Sequence, residues 1–470
     1  MKRMTEVRTR FAPSPTGLLH IGGVRTALFE VLLAHHYGGK AILRIDDTDR
    51  ERLVPGAVDA LISDLRWVGL IFDEGPFPQS ERLARYKEIS EELIARGFAY
   101  RCDCTAERLA QEREEQAARK EPLGYSGYCR NRGVSASVPH VVRFKIPEDR
   151  AITLHDAVKG DVHWEKIALR DTVLLKSDGF PTYHLATVVD DRDMRISHIL
   201  RADEWLSTAP LHLLIFEAME WPAPVFAHLP PVLGADGKKL SKRHGATFLS
   251  SFREAGYLPE AILNFIALIG WSAGEGEEQE IFSMEELTRR FTLERVNNAG
   301  GVFSYEKLNW MNGVYIRNLP PEDLQARLEP VLAKAGLAVD SEKLRRILPQ
   351  VRERLQLLPD AVPLVDFLFK QSIDRDMPAM LKKGMDAAKA REICVAAAEK
   401  LASLATFDTP AIEAALREVA ESAGGKSGPV FTVVRIAVTG KTITPPLFES
   451  IYALGREQTI ARLRETAALL

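Results

Sequence analysis

His20, Ile21, Gly22 and Gly23 close a turn, Ala12-Pro13-Ser14-Pro15-Thr16-Gly17-Leu18-Leu19, that interrupts a strand-like segment from Val7 to Ala12. Behind them, Val24, Leu28 and Leu32 keep helical spacing up to Tyr37. A helix N-terminus offers unpaired N–H groups and a positive dipole end, so this turn suits an anion. Glycines let a ligand approach the backbone, and an imidazole N–H can donate to a phosphate oxygen. Alone, the segment reads equally as a Pro/Gly turn with a surface histidine. Much later, Leu233-Gly234-Ala235-Asp236-Gly237 leads into Lys238-Lys239-Leu240-Ser241-Lys242-Arg243. Several cations in a glycine-bearing loop suit a phosphate whose charge spreads over its oxygens as it is attacked. Alone, that loop is a solvated basic turn; the two segments together, in this order, point to phosphate chemistry.

Cysteines form a second constellation. Cys102-Asp103-Cys104 is followed by Cys129. Three thiols suggest zinc, which wants four ligands in a structural site; the alternative is three unliganded cysteines. Cys394, among apolar neighbours, reads as a core residue. Gly424-Gly425-Lys426-Ser427 hints at a phosphate loop, but Ala420 stands where its first glycine should be.

The elements that must position these groups follow from pattern. Gly38-Gly39 stops the first helix, and Ala41 to Ile45 is a second strand, which makes a βαβ unit with parallel strands and places the turn at a carboxyl end, where ligands bind. Helices are expected over about 58–68 and 81–96, with Ser80 as a cap. The texture changes near residue 100, and Val141 to Ile146 alternates like a strand in an insertion. Val173-Leu174-Leu175 and Thr187-Val188-Val189 read as buried strands returning to the sheet. From about residue 250 the pattern is helical, with a break at Asn318-Leu319-Pro320-Pro321. The 470 residues carry net charge −3 and ordinary composition, 46% hydrophobic and 27% charged. That excludes a chain-wide basic nucleic-acid binder but leaves room for a local basic surface. No run approaches the ~20 apolar residues of a membrane span. No signal peptide is visible, and four cysteines fit a reducing cytoplasm better than a disulfide framework.

With these residues in hand, the chain resembles class I aminoacyl-tRNA synthetases, whose two signatures match His-Ile-Gly-Gly and Lys-Leu-Ser-Lys-Arg. The wider strings RFAPSPTGLLHIGG, RIDDTDRER, SDGFPTYHLATVVDD, ILRADEW, KKLSKRHG and LNWMNGVYI resemble the glutamyl-tRNA synthetase family, densely over residues 7–320. The resemblance implies an α/β fold: a Rossmann-type parallel-sheet catalytic domain at 1–98 and 184–245, and an α+β insertion at 99–183 for the acceptor end. A helical junction at 246–319 and an all-helical anticodon-binding region at 320–470 would follow. Within that last region, Arg435, Thr439, Gly440 and Lys441 lie in a matching string.

The implied reaction activates L-glutamate with ATP and Mg²⁺ and passes it to tRNA(Glu), or also to tRNA(Gln). His20, Lys239 and Lys242 would be catalytic, with Arg243 in support. Ser14, Gly22 and Trp205 would lie near ATP. Arg10, Ala12, Ser14, Tyr183 and Arg201 would hold glutamate, the arginines on its side-chain carboxylate; ordinary ion pairing with local aspartates is the alternative for both. Asp46 occupies a position where the family carries glutamate for the α-amino group. Tyr125 would complete a zinc site with Cys102, Cys104 and Cys129. Relatives of this type activate glutamate only with tRNA present. A cytoplasmic monomer is expected. A glutaminyl enzyme would end in β-barrels, and a shortened tRNA-modifying relative would end near residue 300. A small-molecule adenylyltransferase would not need the helical C-terminal half, and a dead RNA-binding paralogue would not keep intact cations.

Overall fold

The computed structural model describes residues 6–470 except 168, 275, 383 and 425, and the side chain of Lys242 lies outside the described residues. The chain forms two compact units, Met1–Phe252 with Ile262–Ser304, and Arg253–Ala261 with Tyr305–Leu470.

In the first unit, β1 (Arg8–Phe11), β2 (Lys40–Ile45) and β3 (Glu74–Pro78) form a parallel sheet in the order β1-β2-β3. The expected crossover helix, α1 (Ile21–His36), joins the first two strands. Its end is tight: the Lys40 N–H donates to the Val7 carbonyl, and a Cβ on Gly39 would sit 1.9 Å from that oxygen, so only glycine fits. A separate sheet, over the range expected as an insertion, is antiparallel and runs β4 (Ala99–Cys102), β5 (Val141–Phe144) and β8 (Val173–Leu175). A further sheet has the order β7-β6-β10-β9: β6 (Ile152–Asp156), β10 (Val225–Leu229) and β9 (His198–Ala202) are parallel, and β7 (Gly160–Trp164) is antiparallel. It meets β1 where the Ser197 N–H donates to the Arg8 carbonyl at 2.9 Å.

Three local expectations are corrected. Val173–Leu175 is a strand, but it pairs with β5 rather than with the parallel sheet. Thr187-Val188-Val189 is helical, inside α2 (Tyr183–Asp193), where burial of Leu185, Ala186, Val188 and Val189 outweighs β-branched propensity. Ser80 caps nothing; its hydroxyl donates to Asp47 Oδ2 at 2.6 Å, and the following helix starts at Leu83.

The second unit is helical. Ser341–Arg352 is representative: Leu344, Ile347, Leu348 and Val351 form one buried stripe, and Asp340 caps the start by accepting the Glu342 and Lys343 N–H groups at 3.0 and 3.1 Å. Fully burying each such side chain gains roughly 1.5–3 kcal/mol. Cys394 is buried in this core. Among the described residues, no helix is long and apolar enough to cross a membrane.

Candidate active site

A cleft of about 930 Å³ opens beside β1, β2, β9 and the N-terminus of α2. Arg10, Ala12, Ser14, Asp46, Tyr183, Arg201 and Trp205 line it, with Gly23 and Thr26 of α1. His20, Gly22, Lys239 and Arg243 are not among its lining residues; they form a neighbouring group.

In that group, His20 caps α1. Its Nδ1 accepts the Gly22 N–H at 3.2 Å, so a neutral ring carries its proton on Nε2. Burial, and then the charge of Lys239, hold the His20 pKa below the usual histidine value. The ring is therefore neutral at pH 7 with a donor pointing away from the helix. The basic loop is stitched to this turn by backbone: the Ile21 N–H donates to Thr247 O and the Leu249 N–H to Leu19 O, both at 2.9 Å. Gly234 N–H to Lys238 O at 2.8 Å closes the loop's own turn. Lys239 pairs with Glu204, and Arg243 with Asp236 at 3.1 Å, both on the surface.

The two arginines differ in kind. Arg10 donates to Asp191 at 3.0 Å and to Glu30 at 3.4 Å, so its charge is shared with two buried acids. Arg201 is equally buried but has no carboxylate among its hydrogen-bond partners. It donates to His228 Nε2 at 2.9 Å, His212 Nδ1 at 3.1 Å and the Tyr183 hydroxyl at 3.4 Å, and its Nη2 has no partner. Burial pulls its pKa down. A guanidinium that lines a cleft and has no carboxylate partner can receive an anion, and its planar fork matches a carboxylate. The Tyr183 and Trp205 rings lie 4.6 Å apart, tilted at 38°, which adds an aromatic wall. Asp46 takes a bidentate pair from Arg44, Nε to Oδ1 at 2.7 Å and Nη2 to Oδ2 at 3.3 Å, while Arg44 also reaches Asp191 at 2.7 Å.

A family model described as tRNA synthetases class I (E and Q), catalytic domain, matches residues 6–310. The chain belongs to that family of class I synthetases. A second model, an anticodon binding domain, matches residues 323–467. Glutamate–tRNA ligases of Dehalococcoides mccartyi and Herpetosiphon aurantiacus are 44% and 43% identical, each covering 99% or more of this chain and 98% of the relative. The structure of a glutamate tRNA ligase from Elizabethkingia meningosepticum in complex with its amino acid superposes with TM-score 0.89 at 36% identity, covering 99% of this chain and all of that one.

Other residues in the synthetase cleft were not singled out from sequence. Arg44, Glu30 and Asp191 build the charged floor, and His212, His228 and Asp156 back Arg201. Glu30, Arg44, His212 and His228 are lone polar residues among apolar neighbours, which read as core, and Asp156 and Asp191 stand beside other polar residues, which reads as surface; contact between them exists only after folding.

Three of the thiols gather near β4. Ligand atoms of Cys102, Cys104 and Cys129 all lie within 4.8 Å of one another, with 3.5 Å between the Cys104 and Cys129 sulfurs. The Tyr125 hydroxyl is 3.4 Å from Cys102 Sγ and accepts the Cys129 N–H at 2.8 Å. Tetrahedral zinc with Zn–S near 2.3 Å separates its sulfurs by about 3.8 Å, so this donor set fits the ion.

Proposed function

We infer that this chain is a glutamate–tRNA ligase. It joins the α-carboxylate of L-glutamate to the α-phosphate of ATP, releases pyrophosphate, and passes the glutamyl group to a 3′-terminal hydroxyl of tRNA(Glu), releasing AMP. The carrying observation is Arg201, a buried cation on the wall of a cleft with no carboxylate among its hydrogen-bond partners. With Arg10 and Tyr183 it takes the side-chain carboxylate. Glutamine would leave that charge unmet, which is discrimination without an editing site. Ala12 and Ser14 line the path to the nucleotide. Asp46 meets the α-amino group by sharing its oxygens with Arg44, since a carboxylate has about four lone-pair sites.

His20 donates through Nε2–H to the phosphates. Lys239 and Lys242 stabilise the charge that grows in the transition state, supported by Arg243. Gly22 and Trp205 border the nucleotide. Mg²⁺ arrives with ATP and shields its phosphates. Zinc on Cys102, Cys104, Cys129 and Tyr125 would fix the insertion. We place the enzyme in the cytoplasm as a monomer.

Pyrophosphate exchange with a panel of amino acids, with and without tRNA, tests the substrate. Glutamate should be the amino acid used, and Arg201→Ala should lose it while retaining ATP binding. Wild-type efficiency in that variant would remove Arg201 from the role. For the tRNA, Arg345 and Arg346 pair with Glu342, and Arg352 with Glu353. Arg354 and Arg435 instead donate to neutral oxygens of Thr444 and Pro445. An arginine without a carboxylate partner, if fixed toward the third anticodon base, favours cytosine by bonding to its edge, and use of tRNA(Glu) over tRNA(Gln) is the reading proposed. Charging of both purified tRNAs tests this, and comparable efficiency on the two would overturn it.

A further inference from the structure

A buried guanidinium normally faces a carboxylate, because an unpaired interior charge is costly. Arg201 faces imidazoles instead. Nε donates to His228 and Nη1 to His212. Both rings must be neutral to accept, and their tautomers are set from behind. Asp156 Oδ2 lies 2.5 Å from His228 Nδ1, and the same carboxylate accepts backbone N–H groups from His228, Val158 and Lys159. That anchored acid keeps the His228 proton on Nδ1 and leaves Nε2 to accept from Arg201. His212 offers Nδ1 to Arg201, so its Nε2–H donates to His184 Nδ1 at 3.2 Å. The carboxylate in this chain of contacts is thus held one ring away from the guanidinium.

We propose that His228 and His212, with Asp156 behind them, are positioning residues. They fix Arg201 through neutral acceptors and leave its charge to the substrate's side-chain carboxylate. The clamp has this purpose only if Arg201 meets that carboxylate, as inferred above. An acid at either histidine position would pair with the guanidinium, cancel its charge and repel an acidic substrate. A neutral acceptor there would not.

His212→Asn and His212→Asp make the test, because the two side chains are nearly isosteric, put an oxygen near the Nδ1 position and differ in charge. In aminoacylation with tRNA present, the Asn variant should raise the glutamate KM only a fewfold. The Asp variant should raise it roughly 30-fold beyond that, with the ATP KM within about twofold of wild type. Equal glutamate KM values for the pair would overturn the clamp. If His212→Asp fails to fold by circular dichroism, His228→Gln against His228→Glu makes the same comparison, and equality again overturns it. Wild type and Arg201→Ala run alongside. A wild type inert toward glutamate would sink the substrate assignment. A wild type that uses glutamate and loses it in Arg201→Ala, but shows no Asn/Asp difference, would sink the clamp alone.

Discussion

His20 shows how one side chain serves two levels of structure. Its Nδ1 finishes a helix and its Nε2–H is left for chemistry. The two roles separate by substitution. Asparagine is a good helix cap but lacks the distal donor, so His20→Asn should keep stability within about 0.5 kcal/mol while lowering the adenylation rate by about 100-fold. His20→Ala should lose the rate and also about 1 kcal/mol of stability. Urea unfolding and single-turnover adenylation with tRNA present measure both, and an Asn variant of normal rate would leave His20 as a cap only. His20 itself was legible in the sequence because its neighbours are contiguous and of unusual type. Arg201 was legible through its flanking string, but not its state: nothing local tells an arginine held by Asp191 from one held by His212 and His228. The partners of Arg201 come from β10, α2 and the helix Ala209–Ala218, with Asp156 of β6 behind them, and only the fold brings them together.

Elements repeat the contrast. Strands and helices with strong period and glycine punctuation, such as β2 and α1, were readable. The Thr-Val-Val run of α2 was misread because short β-branched runs do not distinguish a buried helix from a strand. In the second unit, Arg462 does work that periodicity does not reveal. It is buried, and it donates to Val438 O at 2.6 Å, Phe367 O at 2.8 Å and Lys370 O at 2.7 Å, carbonyls at the ends of helices Ser427–Thr439 and Val362–Phe369. Those groups lack helical partners. Arg462→Met should destabilise the second unit by about 2–4 kcal/mol in urea without changing the glutamate KM in the surviving folded protein. A cost under about 1 kcal/mol would mean that water replaces the guanidinium. In the insertion, elemental analysis should find about one zinc per chain, and chelation should loosen β4 and the loop around Cys129 by hydrogen exchange. Metal-free protein that charges tRNA normally would instead mark the cysteines as vestigial.

At the scale of the molecule, all 11 histidines precede residue 245, so they lie in the first unit and none in the second. Burial lowers the pKa of five of them: His20, His184, His198, His212 and His228, with His184 pushed down to about 4. A histidine whose folded pKa is depressed adds stability above its unfolded pKa. That contribution fades as pH falls below it, because the unfolded chain takes up the proton first. Glu30 and Asp46, raised by burial, act in the opposite sense, two groups against five. Between pH 7.5 and 5.5 the first unit should therefore lose stability while the second holds. Amide exchange read separately from the two units measures this, and equal acceleration in both would refute it. The charge at Arg201 has one more consequence, in the language of linkage. A ligand that binds only the folded state stabilises it by an amount set by its concentration over Kd. Glutamate at 100 times its Kd should stabilise the first unit by about 2.7 kcal/mol, and glutamine at the same concentration should not. The melting point of the tRNA-free protein would then report side-chain discrimination before any bond is made.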